Sequence, residues 1–105
     1  MTLLLIVEDD PNTSRLYGKY MAHPGLEILH AADCRSAIEN LERLNPDILV
    51  LDMNLPDGNG LSIIDYCQAD PRLTMTRIIV VSANDQFRSV VEARGIRMEC
   101  PLETR

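Results

Sequence analysis

Short apolar runs recur along this chain, and each stops abruptly at an acid or a hydroxyl. Leu3-Leu-Leu-Ile-Val7 ends at Glu8-Asp9-Asp10, Asp47-Ile-Leu-Val-Leu51 ends at Asp52, and Arg77-Ile-Ile-Val-Val81 ends at Ser82. Runs of this length, rich in β-branched residues and bounded by turn formers, read as strands buried on both faces of a parallel sheet. A further run, Leu26-Glu-Ile-Leu-His30, mixes polar with apolar residues and predicts a strand at the sheet edge.

Helical patterns separate these strands. Pro11 to Met21 opens with a proline suited to a first turn, and Asp10 is placed to cap it. Asp33 is placed to cap a helix whose apolar positions are Ala37, Ile38, Leu41 and Leu44. Leu61 to Ala69 follows Gly60, with Ile63, Ile64 and Cys67 on its inner face, and a fourth helix is predicted from about Asp85 to Arg94, stopped by Gly95. Strands alternating with helices predict an α/β fold of right-handed βαβ units in one domain over residues 1–105. Such a sheet carries its site at the carboxyl ends of the strands.

Charge and composition exclude several function classes. With a net charge of −6 and arginines scattered along the chain, no basic face is available for direct nucleic-acid binding. No apolar run approaches the roughly 20 residues needed to cross a bilayer. Met1 to Val7 lacks a basic leader and runs straight into acids, so it does not read as a signal peptide; a cytoplasmic location is expected. Cys34, Cys67 and Cys100 are odd in number and far apart, which suits packing rather than zinc or disulfides. His23 and His30 are isolated and are expected in surface or loop positions.

The strand-end residues carry the chemistry. Parallel strands bring Glu8, Asp9 and Asp10 beside Asp52 and Ser82. A single such Asp is usually a cap or turn residue, and Asp10 fits that description; Asn54 to Gly60 also has ordinary turn composition. Acidic or hydroxyl groups at three strand ends are harder to explain as turns. They suit Mg²⁺, which takes a few carboxylate oxygens and leaves its other positions to water or phosphate. A carboxylate beside the metal can act as a nucleophile and form an aspartyl-phosphate.

The segments Val7-Glu-Asp-Asp-Pro11, Asp47-Ile-Leu-Val-Leu-Asp52-Met-Asn-Leu-Pro56 and Val81-Ser-Ala83 together resemble the receiver domain of bacterial response regulators. The resemblance runs from Thr2 to at least Ala83. It implies a flavodoxin-like (CheY-like) parallel five-stranded sheet, order 2-1-3-4-5, with helices on both faces. It also implies two-component phosphorelay signalling, with a sensor histidine kinase or phosphotransfer protein as partner. By position, Glu8 and Asp9 are the metal-binding pair, Asp52 is the phosphoacceptor, the Asn54 backbone carbonyl completes the Mg²⁺ site, and Ser82 is the switch hydroxyl. Pro56 and Gly60 match the family's loop.

The chain also departs from that pattern. Its one lysine, Lys19, lies in the first helix, whereas the family carries a lysine at the end of the fifth strand. Counting from Ser82 places that position at Thr104, which is preferred here; matching Cys100-Pro101 instead places it at Cys100 and shortens the fourth helix. The switch aromatic becomes Pro101 or Arg97, and the family's fifth helix is expected to be truncated or absent. The sheet flank from Leu3 to Val7 should then expose apolar side chains and favour a homodimer through this flank, or through the edge near the fifth strand. Two other readings compete: a degenerate receiver acting as a phosphorylation-independent interaction module, and a Mg²⁺-dependent aspartyl-phosphate phosphatase. Against the phosphatase stands Asn54, where that chemistry places a second Asp. The chain is therefore not expected to be an enzyme.

Overall fold

The computed structural model describes residues 1–81, 85–96 and 98–99, with the side chains of residues 85, 98 and 99 left aside. Its element order is β1 (Thr2–Val7), α1 (Pro11–Met21), β2 (Leu26–Ala31), α2 (Cys34–Arg43), β3 (Ile48–Leu51), β4 (Asn54–Leu55), β5 (Gly58–Asn59), α3 (Leu61–Ala69), β6 (Arg77–Val81), α4 (Arg88–Glu92) and β7 (Met98–Glu99), with single 3-10 turns at Pro71–Leu73 and Asp85–Phe87. Five strands form one sheet in the order β2-β1-β3-β6-β7, all pairings parallel. The pair β4-β5 is a separate antiparallel hairpin. Setting the hairpin aside, the order is the expected 2-1-3-4-5, and β2 lies at the edge, as its mixed composition requires.

The apolar runs work because the sheet is covered on both faces. Leu5, Val7, Leu49, Leu51 and Val80 pack with Ala37 and Leu41 of α2, Ile63, Ile64 and Cys67 of α3, and Val91 of α4. Leu4, Ile6, Val50 and Val81 form the second cluster, against Tyr17 and Met21 of α1. Leu4 and Ile6 are 3% and 0% exposed, so β1 does not present the bare apolar flank expected of it, and the homodimer loses that basis. Side chains alternate across the sheet, and α1 covers the half that points its way. The truncated or absent fifth helix, Ser82, Cys100, Pro101 and Thr104 all lie outside the described residues.

Caps set the helix boundaries. The Asp10 side chain accepts the Asn12 N–H at 3.1 Å and the Thr13 hydroxyl at 2.8 Å. Asp33 accepts the Ser36 N–H at 2.7 Å and so starts α2. Leu44, expected inside that helix, is its C-cap. The fourth helix is the clear correction: a 3-10 turn over Asp85–Phe87 gives way to only five residues of α4, with no side-chain cap on Phe87. The chain then turns through Gly95, at φ +81°, into β7. Val81 pairs with Glu99 in that strand. A short fourth helix and a strand at Met98–Glu99 favour the count that puts Cys100, rather than Thr104, at the family's lysine position.

The junction between β5 and α3 leaves no space for a side chain. A Cβ on Gly60 would lie 2.8 Å from Met53 Sδ and 3.1 Å from Leu51 Cγ and Cδ2, and both residues are fully buried. Gly60 has an ordinary helical φ of −68°, so sterics rather than backbone strain select glycine. Gly60→Ala should therefore cost about 1–3 kcal/mol through overpacking. Urea unfolding measures this, and an unchanged midpoint would show that Met53 gives way freely.

Candidate functional site at the strand ends

The register between β1 and β3 brings the acids together. Val7 pairs with Leu51, so Glu8 and Asp52, one residue further along each strand, emerge side by side. The Asp52 N–H donates to the Val7 carbonyl at 3.0 Å and the Glu8 N–H donates to the Ala31 carbonyl at 3.0 Å, which holds both residues at the carboxyl ends of the strands. Glu8, Asp9 and Asp52 each present a carboxylate oxygen to one point, with these atoms all within 4.8 Å of one another. Asp10 is not among them: its carboxylate is occupied in capping α1.

Burial differs sharply across the cluster. Glu8 is only 8% exposed, Asp52 is half-buried and Asp9 is exposed. Burial pushes the Glu8 carboxyl up from 4.5 to about 7; the Asp10 amide, donating at 3.1 Å, opposes this, and the Asp52 and Asp9 charges add to it. Asp52 is also raised, first by burial and then by the Asp9 charge, against the Asn54 backbone N–H, which lies 3.5 Å from Asp52 Oδ1. The charges of Asp52 and Asp9 thus oppose ionisation of Glu8, and the Asp9 charge opposes that of Asp52, while a hydrogen bond with Glu8 favours the Asp52 anion.

The remaining expected site residues fall out as follows. Asn54 begins the hairpin, exposed, two residues beyond Asp52. Ser82 lies outside the described residues. His30 is surface-exposed as expected, but it sits in β2 rather than a loop, and its Nδ1 pairs with the buried Ser14 hydroxyl at 2.5 Å. A cleft of about 450 Å³ beside the acids is lined by Glu8, Asp9, Arg15 and His30 among others. Sequence reading missed Asp57, whose carboxylate reaches the start of α2. Its Pro-Asp-Gly context spoke only of a turn.

Glu8 binds its proton more tightly folded than unfolded. Its contribution to stability is therefore full below about 4.5 and is lost as pH rises through about 7. Asp52→Asn removes one of the repelling charges and should stabilise the metal-free protein by about 1 kcal/mol, or roughly 4–8 °C in Tm. The gain should be larger at pH 8 than at pH 5. Thermal unfolding in a chelator at both pH values checks this; a destabilised variant at pH 8 would show that the acids do not repel one another in the fold.

Comparison with known proteins places this geometry. The family model described as "Response regulator receiver domain" matches residues 4–102. The Regulator of RpoS of Escherichia coli (strain K12) is 28% identical over 96 residues, covering 91% of this chain and 28% of that protein. The chain thus spans under a third of the length of this curated relative. Among solved structures, a sensor protein from Polaromonas sp. JS666 is 31% identical with a TM-score of 0.77, covering 93% of this chain and 82% of that one. The response regulator TrrA from Thermotoga maritima, in complex with Mg²⁺-BeF, has a TM-score of 0.82 at 24% identity, covering 95% of this chain and 85% of that one, and shares the fold. A parallel sheet in this strand order, ending in a convergent acidic pocket and matched along nearly its whole length by one family, makes this chain a response regulator receiver domain.

Proposed function

We propose that the chain receives phosphate in a two-component phosphorelay: Asp52 accepts a phosphoryl group from the phosphohistidine of a sensor histidine kinase or phosphotransfer protein. The observation that carries this reading is the convergence of the Glu8, Asp9 and Asp52 oxygens within 4.8 Å. Three hard carboxylate donors on one side of an open pocket fit Mg²⁺, which needs few protein ligands. Glu8, raised to about 7 by burial and its acidic neighbours, is the group that most gains from a cation. When bound, Mg²⁺ offsets the acids' charge and polarises the phosphoryl group.

The residues divide the chemistry among them. Glu8, Asp9, Asp52 and the Asn54 carbonyl would hold the cation. An Asp52 carboxylate oxygen attacks phosphorus, the phosphorus–nitrogen bond to the donor imidazole breaks with its electron pair going to nitrogen, and an acyl phosphate remains on Asp52. The Ser82 hydroxyl donates to a phosphoryl oxygen. Asp9 is exposed and Asp52 half-buried, which leaves the pocket open to a partner's histidine from the Asp9 side. The chain acts as a signalling module, not as an enzyme with its own substrate, and works in the cytoplasm without direct nucleic-acid or membrane contact. No helix among the described residues is long and apolar enough to cross a membrane.

A second reading rests on one observation, the lack of a lysine at the pocket. Lys19 lies in the last turn of α1, about 12 Å along the helix from its start near Glu8. Before transfer, three carboxylates face a dication. Afterwards, two carboxylates and a phosphoryl group of about −2 leave roughly −2 uncompensated. Phosphorylation is thus weakly coupled to a switch, and the domain then works chiefly as a protein-interaction module.

Mg²⁺ titrated into the protein should shift the amide resonances of Glu8, Asp9 and Asp52, with an affinity that falls as pH drops below about 7, because Glu8 must lose its proton to bind. Asp52→Asn should abolish both these shifts and the gain of one phosphoryl mass from a small-molecule phosphodonor. Mass gain in Asp52→Asn would overturn the assignment. Cys100→Lys should strengthen beryllofluoride binding roughly 10-fold by restoring a charged hydrogen bond. A gain from Thr104→Lys and none from Cys100→Lys would restore the longer count.

A further inference from the structure

The hairpin that follows Asp52 is tied at its tip to the start of α2. Asp57, in the turn between β4 and β5, accepts the Cys34 N–H on Oδ1 at 2.8 Å and the Arg35 N–H on Oδ2 at 3.0 Å. These are two of the amides that every helix start leaves without an internal partner. Asp33 accepts the next amide, from Ser36, at 2.7 Å. The two caps divide the helix start between a local residue and one 23 positions away.

The surrounding contacts reinforce the tie. The Cys34 thiol donates to the Asn59 carbonyl at 3.5 Å, and the Ser62 hydroxyl donates to the same carbonyl at 3.2 Å. Gly58, at φ +152°, lets the turn close over Cys34; a Cβ there would lie 3.6 Å from Cys34 Sγ. At the other end, Asn54 pairs with Asn59 across the hairpin and turns its N–H toward Asp52 Oδ1. A two-rung hairpin therefore joins α2 to the acidic pocket. The amides of Cys34 and Arg35 hold the Asp57 carboxyl below the usual carboxylate range, so it stays ionised and engaged with them.

We infer that Asp57 is a positioning residue for the acidic pocket: by clasping the start of α2 it fixes the hairpin bearing Asn54, and so sets how tightly the site at Asp52 holds a cation. The inference rests on the proposed metal site and deepens it. It also supplies a route from the pocket to α2 that needs neither the missing lysine nor the missing aromatic. Coupling of this kind is reciprocal: a cation held at Asp52 and the Asn54 carbonyl tightens the Asp57 clasp by the same factor that the clasp tightens the cation.

Mg²⁺ affinity from amide shifts, and hydrogen exchange at the Cys34 and Arg35 amides with and without Mg²⁺, test this on the whole chain. Asp57→Ala should weaken Mg²⁺ roughly 5-fold, and in the wild type Mg²⁺ should slow exchange at Cys34 and Arg35 by a similar factor. Asp33→Ala removes the other cap of the same helix without touching the hairpin, and should leave Mg²⁺ affinity unchanged. Should Asp57→Ala not fold, Asp57→Asn keeps the side-chain volume with one acceptor oxygen and should weaken Mg²⁺ in the same direction. Equal affinities in wild type and Asp57 variants, equal losses in Asp57→Ala and Asp33→Ala, or wild-type exchange indifferent to bound Mg²⁺ would overturn the inference alone. A wild type that binds no Mg²⁺ would overturn the metal site, and the inference with it.

Discussion

The alignment of Val7 with Leu51 in adjacent parallel strands is the constraint on which the rest of this molecule depends. It fixes where the chain leaves β1 and β3, and so forces Glu8 and Asp52 into each other's field whatever their electrostatic preference. The register is itself held by burial. Slipping β3 by one residue would turn Leu49 and Leu51 away from α2 and α3 and send Val50 in their place. Hydrophobic packing on two faces thus imposes a like-charge cluster that local energetics would scatter. The fold, and not the charges themselves, holds these carboxylates together.

The helices follow from the same demand. Parallel strands buried on both faces need cover on each, and α1 supplies one side while α2, α3 and α4 supply the other. α1 does more than cover the sheet, because its cap, Asp10, adjoins the acidic pair, so the start of the helix and the wall of the pocket are one stretch of chain. The hairpin β4-β5 plays a similar double part between Asp52 and the tightly packed Gly60. Loops at the strand ends are therefore not free connectors. Among the described residues, Asp10 closes the loop after β1, Asp33 that after β2, and the hairpin after β3 is held by Asp57 and the packed Gly60.

The far side of the sheet shows a different balance. α4 is short, and the turn after it is held by tertiary contacts. Arg94 pairs with Asp65 of α3 at 2.8 Å, and the Gln68 amide donates to the Arg94 carbonyl at 2.9 Å. The pair is solvent-exposed, where a salt bridge adds little, so the apolar anchor Val91, fully buried, carries more of the attachment.

Sequence by itself determined the both-face burial of β1, β3 and β6 and the bounds of α1 and α3, because these rest on local signals: unbroken apolar runs, the proline and aspartate at helix starts, and helical spacing of Ile63, Ile64 and Cys67; the strand order followed only from the family resemblance. Sequence also singled out Glu8, Asp9 and Asp52, since acids directly after strands must gather where parallel strands end. The tertiary structure alone decided the rest. α4 came out at half its expected length because its limits are set by contacts with α3 and the sheet rather than by a cap of its own. Leu4 and Ile6 are buried because α1 lies across them, which no property of the strand announces. Asp57 looked like any turn residue, and its role depends on two backbone amides 22 and 23 positions earlier in the chain. Caps made by sequence neighbours can be read from spacing; a cap made across the fold exists only once packing has brought its two halves together.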